Sequence, residues 1–222
     1  MITTVYLVRH GVTDWNVARR IAGRLPGIAL SADGRREAAA VASRLAALPI
    51  RAVAASPLER AHRTATAIAR AHGLAVLEDP AFTEREYARW QGMLSAEIRA
   101  RDRDAVDAVA RGDDVPGVEP VGAMAARMWD GMERLVAGHP GEALVIVSHA
   151  DPIRALIARI VGMPPARLRA LEIGTASLSR LRRRDTGAVV DFANSRAHLA
   201  GPPGTDSPGE ADQDRPAGRP LG

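Results

Sequence analysis

The chain has 222 residues, 46% of them hydrophobic and 25% charged, which is enough apolar material for one well-buried core. It contains no cysteine, and all 30 basic residues are arginine, which excludes disulfides, thiolate metal sites, cysteine nucleophiles, lysine Schiff bases and lysine phosphate clamps. The formal charge is only +4 and acids interleave with arginines, as in AEIRARDRDAVDAVARGDD, so a mixed solvated surface is expected and a nucleic-acid groove is not.

The opening TTVYLVR is a β-branched and aromatic run that ends in charge, and it reads as a buried strand delivering residues 9 to 11 to its carboxyl edge. Arg9 and His10 follow the start too soon for a secretory leader. No apolar run reaches the roughly 18 residues needed to cross a bilayer, so a soluble cytoplasmic protein without a membrane partner is expected. SADGRREAAAVASRLAAL carries apolar positions at helical spacing, and RAVAAS is a second strand. PLERAHRTATAIARAHG opens with proline in its first turn and stops at glycine, as helices do. LAVLED is a third strand leading into a loop that holds Glu84 and Trp90.

Residues 93–117 are charged and weakly periodic, which suggests a short helical cap, and 119–138 form a clearer amphipathic helix with Met and Trp on its apolar side. EALVIVSHADPIRALIARIVG reads as strand, tight junction and helix, with His149 at the strand end. EIGTASLSRLRRR and GAVVDFAN are closing strands at a sheet edge. This alternation predicts an α/β fold, a three-layer αβα sandwich around a mostly parallel, mixed sheet, occupying residues 1–199 with 93–117 as a cap-like insertion. From residue 200 the sequence is dominated by Gly, Pro and charge and predicts a disordered tail over 200–222.

Arg9, His10 and His149 all fall where strands end, and ligands of open α/β sheets bind at the carboxyl ends of strands. Arg60 falls in the first turn of the helix after the second strand, where free backbone N–H groups favour an anion. Two arginines, two histidines and a helix start make a phosphate pocket. Phosphoryl transfer places negative charge on the equatorial oxygens, and guanidinium forks meet it with charge-assisted bonds. A neutral imidazole can attack phosphorus with one ring nitrogen if the other is held, with a backbone carbonyl as the expected acceptor.

LVRHGVTDWN at 7–16 resembles the Arg-His-Gly motif of the histidine phosphatase superfamily, which includes the cofactor-dependent phosphoglycerate mutases. GRLPGIALSADGRREA at 23–38, SPLERAHRTA at 56–65, FTEREYARWQG at 82–92 and VSHADPIR at 147–154 are similar to its later motifs, in order, so the resemblance spans residues 2–195. It implies a phosphoglycerate mutase-like fold, His10 as nucleophile and Arg9, Arg60 and His149 as phosphate ligands. It also implies Glu84 as the proton donor and Asn16 and Gly23 at the pocket rim. Asp151 is an alternative acid, because acid-phosphatase relatives carry their carboxyl donor just behind the second histidine. Asp before proline at a helix start also reads as an N-cap, and that reading is preferred. Asn16 serves equally as a helix-start residue. Ser56 is expected to support the site and Trp90 to pack the acid loop. His62 is assigned to the surface, and His72, His139 and His198 to loops. Ala88 and the pair Ala150 and Asp151 stand where the family commonly has glycine, which bears on substrate more than on reaction.

A mutase of this family encloses a carboxylated substrate with a longer, basic insertion after the acid loop. Here the stretch after Gly92 is short and not basic, with six acids against four arginines over residues 93–117, so hydrolysis of small phosphate monoesters is the preferred reading, with a phosphomutase as the alternative. A silent phosphate-binding protein is the third reading, and the presence of every expected catalytic residue counts against it. The expected partner is a small phosphorylated metabolite. Neither a cofactor nor a metal is expected, since no His, Asp and Glu cluster has ligand spacing. The oligomeric state is not legible.

Overall fold

The computed structural model describes residues 1–200, so the tail expected from the composition lies outside the described residues. One sheet is built from β1 (Ile2–Arg9), β2 (Ile50–Ala55), β3 (Val76–Glu78), β4 (Ala143–Ser148), β5 (Leu178–Arg184) and β6 (Gly187–Ser195). Their order is β3-β2-β4-β1-β5-β6. The first four of these neighbours run parallel, while β5 is antiparallel to both β1 and β6. The sheet is therefore the mostly parallel, mixed one the sequence predicts, with the closing hairpin at its edge.

Strand residues alternate between two apolar layers because successive side chains leave opposite faces. Val5, Leu7, Ala52, Ala54, Leu144 and Ile146 face one core. Tyr6, Val8, Val53, Ala55, Val145 and Val147 face the other. Burial on both faces is why these strands read as nearly continuous apolar runs.

Among the described residues seven α-helices complete the layers: α1 (Asp14–Val17), α2 (Ala32–Leu45), α3 (Glu59–Ala71), α4 (Ser95–Arg101), α5 (Arg103–Arg111), α6 (Val121–Gly138) and α7 (Ala150–Val161). Val41 and Leu45 of α2 and Ala61, Ala65 and Ile68 of α3 cover one face of the sheet. Met128, Met132 and Leu135 of α6 and Ile153, Leu156 and Ile157 of α7 cover the other. Truncating such a fully buried leucine to alanine costs about 2–5 kcal/mol. Pro57 lies two residues before α3 rather than inside its first turn; Leu58 is the N-cap, and its N–H donates to Ser56 Oγ (3.2 Å).

The 93–117 stretch holds α4 and α5. With Trp90 they form a small separate core of Trp90, Ile98, Val109 and Val118. No helix among the described residues is long and apolar enough to cross a membrane.

Candidate active site

Sheet order fixes the site. Because β4 lies between β1 and β2, the three carboxyl ends emerge side by side: Arg9 pairs with Ser148 and Ala55 with Val147. One residue further on, the His10 N–H donates to the Ser148 carbonyl (3.0 Å) and the Ser56 N–H to that of Val147 (3.0 Å). His10, Ser56 and His149 thus share one edge of the sheet. The turn after His10 is locked by its neighbour in sequence: the Gly11 N–H donates to Thr64 Oγ1 (3.1 Å), and a Cβ on Gly11 would come within 2.4 Å of the Gly34 carbonyl oxygen.

His10 and His149 are buried, with ring centroids 5.1 Å apart and planes inclined at 61°. His10 Nδ1 is 2.8 Å from the Gly11 carbonyl oxygen, which can only accept, so the proton resides on Nδ1 and Nε2 carries a free lone pair. The expected backbone acceptor is therefore the carbonyl of the very next residue. His149 has the opposite arrangement. Ser56 Oγ already accepts from Leu58 N–H, and its buried hydroxyl proton is directed to His149 Nε2 at 2.9 Å, which leaves the His149 proton on Nδ1. Burial, followed by the charge of Arg60, holds both imidazoles well below the ordinary histidine range. Both rings are neutral at pH 7, His10 with a lone pair on Nε2 and His149 with a proton on Nδ1.

Arg60 is 1% exposed; its Nη2 donates to the Gly23 carbonyl (2.8 Å). Arg9 donates Nη1 to the Ile173 carbonyl (2.7 Å). Burial lowers both guanidinium pKa values, that of Arg9 to about 10, and both remain cationic at neutral pH. Arg9 Nε, Arg60 Nη1 and His149 Nδ1 are buried donors that have no hydrogen-bond partner among the described residues. Such donors at one sheet edge can meet the oxygens of an anion with charge-assisted hydrogen bonds.

Glu84 Oε2 lies 4.0 Å from His149 Nδ1, and the carboxyl side chain is 14% exposed. Burial, then the negative charge of Asp151, pushes its pKa up to about 7. Asp151 does not cap α7. The N-cap is His149, and Asp151 sits inside the first turn, where its carboxylate accepts from the Tyr87 hydroxyl and from Arg154 Nη1 (2.9 Å). Burial raises its pKa, but Arg154 and the Tyr87 hydrogen bond outweigh that and hold it below the ordinary value, so Asp151 stays ionised. Environment thus separates the two carboxyls: one retains a proton near neutrality and the other does not.

Asn16 forms a capping box with Thr13, its Oδ1 accepting from the Thr13 N–H (3.0 Å) and hydroxyl (2.9 Å). Gly23 has φ +48°, and a Cβ there would run into the Gln91 side chain; its observed task is to hold Arg60 through its carbonyl. Trp90 is buried in the cap core with Nε1 donating to Asp102 (2.7 Å). His62 is surface-facing and pairs with Glu78, while His72 and His139 end α3 and α6. His198 departs from a plain loop: it sits in a 3₁₀ turn with Nε2 2.9 Å from the Ala176 carbonyl.

Several site-bearing residues escape sequence reading. Thr64 and Glu37 hold the turn after His10, Glu37 accepting from the Val12 N–H (2.7 Å), and Tyr87 meets Asp151. Arg24, Glu119 and Arg127 surround the acid loop. None of them is singled out by its spacing: Arg127 shares α6 with Asp130, Glu133 and Arg134. Among the described residues no group of three or more His, Asp or Glu is placed to hold a metal ion.

A three-layer α/β sandwich with two histidines and two arginines gathered at the carboxyl edge of its parallel strands defines a phosphoglycerate mutase-like class of protein. The chain belongs to the histidine phosphatase superfamily (branch 1), whose profile matches residues 5–196. It is 35% identical over 204 residues to a probable phosphoglycerate mutase, GpmB, of Erwinia tasmaniensis, covering 88% of this chain and 94% of that one. It is 30% identical over 200 residues to an uncharacterized phosphatase, PhoE, of Bacillus subtilis, covering 90% and 98%. Among solved structures it is similar to a mycobacterial glucosyl-3-phosphoglycerate phosphatase with bound VO3 (TM-score 0.79, 30% identity, covering 86% of this chain and 99% of that one). It is also similar to YhfR of Bacillus stearothermophilus (TM-score 0.84, 26% identity, covering 89% and 100%).

Proposed function

We propose that this protein is a phosphatase that hydrolyses small phosphate monoesters through a phosphohistidine on His10. The observation that carries the reading is the set of three unpaired buried donors, Arg9 Nε, Arg60 Nη1 and His149 Nδ1, at the sheet edge shared with the free Nε2 of His10. In the first step the Nε2 lone pair attacks phosphorus, the ester P–O bond breaks, and the leaving oxygen takes the Glu84 proton. In the second step the Glu84 carboxylate takes a proton from water, whose oxygen attacks phosphorus, and the P–N bond breaks to release inorganic phosphate and neutral His10. The arginines and His149 stabilise the equatorial oxygens in both steps.

A phosphomutase is the second reading, supported by the relatives named as probable phosphoglycerate mutases. It shares the first step and passes the phosphoryl group to a substrate hydroxyl instead of water. The short segment after Gly92, with more acids than arginines, supports hydrolysis. Incubation with a chromogenic phosphate monoester and, separately, with 3-phosphoglycerate plus its bisphosphate activator distinguishes the two. Phosphate release that is lost in His10→Ala supports hydrolysis, and isomerisation supports the mutase. Activity is expected to survive EDTA.

A further inference from the structure

Glu84 has no regular structure beneath it. It lies between two 3₁₀ turns, Pro80–Phe82 and Ala88–Trp90. A proton donor must nonetheless be held to about half an ångström. The segment is held by arginines. Arg127, on α6, donates Nη1 to the carbonyls of Ala81 and Thr83 (2.7 Å each) and Nη2 to that of Glu84 (3.2 Å). Its Nε and Nη2 also meet the two carboxylate oxygens of Glu119 (2.7 and 2.9 Å). All five N–H donors of Arg127 are thereby used on the protein, and none is left for a substrate. From the other side Arg24 donates Nε to the Glu84 carbonyl (2.9 Å) and Nη2 to Glu119 (3.0 Å). The Glu119 backbone completes the strap, its carbonyl accepting from Arg85 Nε (2.7 Å) and its N–H donating to the Glu86 carbonyl (2.9 Å).

The side chains of Arg127 and Glu119 are 18% and 12% exposed, so bulk water screens this network weakly. Arg24 also directly follows Gly23, whose carbonyl holds Arg60. One short stretch therefore sets the phosphate ligand and the acid loop against each other.

We propose that Arg127, working with Glu119 and Arg24, is the positioning residue that places the Glu84 carboxyl at the leaving oxygen; this rests on the reading of Glu84 as proton donor. Arg127 touches neither substrate nor phosphate. Its loss should remove proton donation while leaving the phosphate pocket intact, which a merely structural role would not do.

Leaving-group dependence reads this out. An aryl ester such as p-nitrophenyl phosphate expels a stable phenolate without help, whereas an alkyl ester such as glycerol phosphate must have its alkoxide protonated. In Arg127→Met, kcat/KM for the alkyl ester should fall about 100-fold or more, the range general acid catalysis supplies, and that for the aryl ester less than about threefold. Competitive inhibition by inorganic phosphate should stay within about twofold, because Arg9, Arg60 and His149 are untouched. Glu119→Gln, which keeps the shape but weakens the anchor of both arginines, should repeat the pattern at about one-tenth the size and serves if Arg127→Met does not fold. Equal loss on both esters, loss on neither, or weakened phosphate inhibition overturns the proposal. Wild-type protein inert toward both esters ends the functional reading and the proposal with it, while wild-type activity confined to the aryl ester ends the proposal alone.

Discussion

His149 Nδ1 stands 4.0 Å from Oε2 of Glu84, so the two side chains face each other without being hydrogen-bonded. Glu84 Oε1 accepts from the Arg85 N–H (2.9 Å), and the proton on Glu84 is set by its surroundings rather than by His149. Burial and the charge of Asp151 push the Glu84 pKa to about 7, while His10 lies well below its ordinary value. In the proposed mechanism, donation requires protonated Glu84 and attack requires neutral His10. Hence kcat/KM should fall as pH rises through about 7, the alkaline limb belonging to Glu84. Asp151→Asn removes the negative charge and should move that limb to lower pH. An unmoved limb in a pH–rate profile would assign it to another group.

The same shift makes Glu84 a cost to stability. Its folded pKa of about 7 lies above its ordinary value of 4.5, so the cost is absent below about 4.5, where the group is protonated folded and unfolded, and is fully present once pH has risen through about 7. Glu84→Gln should therefore be more stable than wild type at pH 8, on the order of 2–3 kcal/mol, with the difference vanishing below pH 4.5. Urea unfolding at the two pH values checks this, and a difference independent of pH would contradict it.

Ser56 fixes the tautomer that leaves the His149 proton on Nδ1, the atom proposed to meet phosphate. Removing its hydroxyl leaves the buried Nε2 without its donor and the Leu58 N–H without its acceptor. Ser56→Ala should lower kcat/KM about tenfold, equivalent to one lost hydrogen bond of about 1.4 kcal/mol, and weaken inhibition by inorganic phosphate in parallel. Steady-state kinetics with phosphate as inhibitor provides both readings, and wild-type phosphate affinity in the variant would refute the tautomer assignment.

Ala88 has φ +44°, in the left-handed region where a Cβ costs about 1–2 kcal/mol, and it occupies a position where the family resemblance leads one to expect glycine. Glycine there relieves the strain but adds freedom to the unfolded chain. Ala88→Gly should raise stability by about 0.5–1 kcal/mol, read as a higher denaturant midpoint. A lower midpoint would show that packing of the methyl group outweighs the strain.

What was legible in the sequence and what was not divide along one physical line. Val5 to Val8 and Leu144 to Val147 announce buried strands because both sheet faces are covered, and Arg9, His10 and His149 stand directly at the ends of those runs. Asp151 misled because Asp-Pro resembles a helix cap; β4 runs into α7 with only His149 between them, so the cap position falls two residues earlier. The support of Glu84 could not be read at all. Its anchors are backbone carbonyls of residues 81, 83 and 84, which have no side-chain identity, and Arg127 reaches them from more than 40 residues away. Gly23 was legible as a glycine, yet its partners Gln91 and Arg60 follow only from the fold.

The covalent step on His10 carries the whole account. Rapid acid-free quenching of a phosphate-ester reaction followed by intact-mass and peptide analysis should find one added phosphoryl group, stable to base, labile to acid and located on His10, and His10→Ala should abolish both the adduct and turnover. Phosphate release that continues undiminished in His10→Ala, or a phosphoryl group residing on another residue, would contradict it.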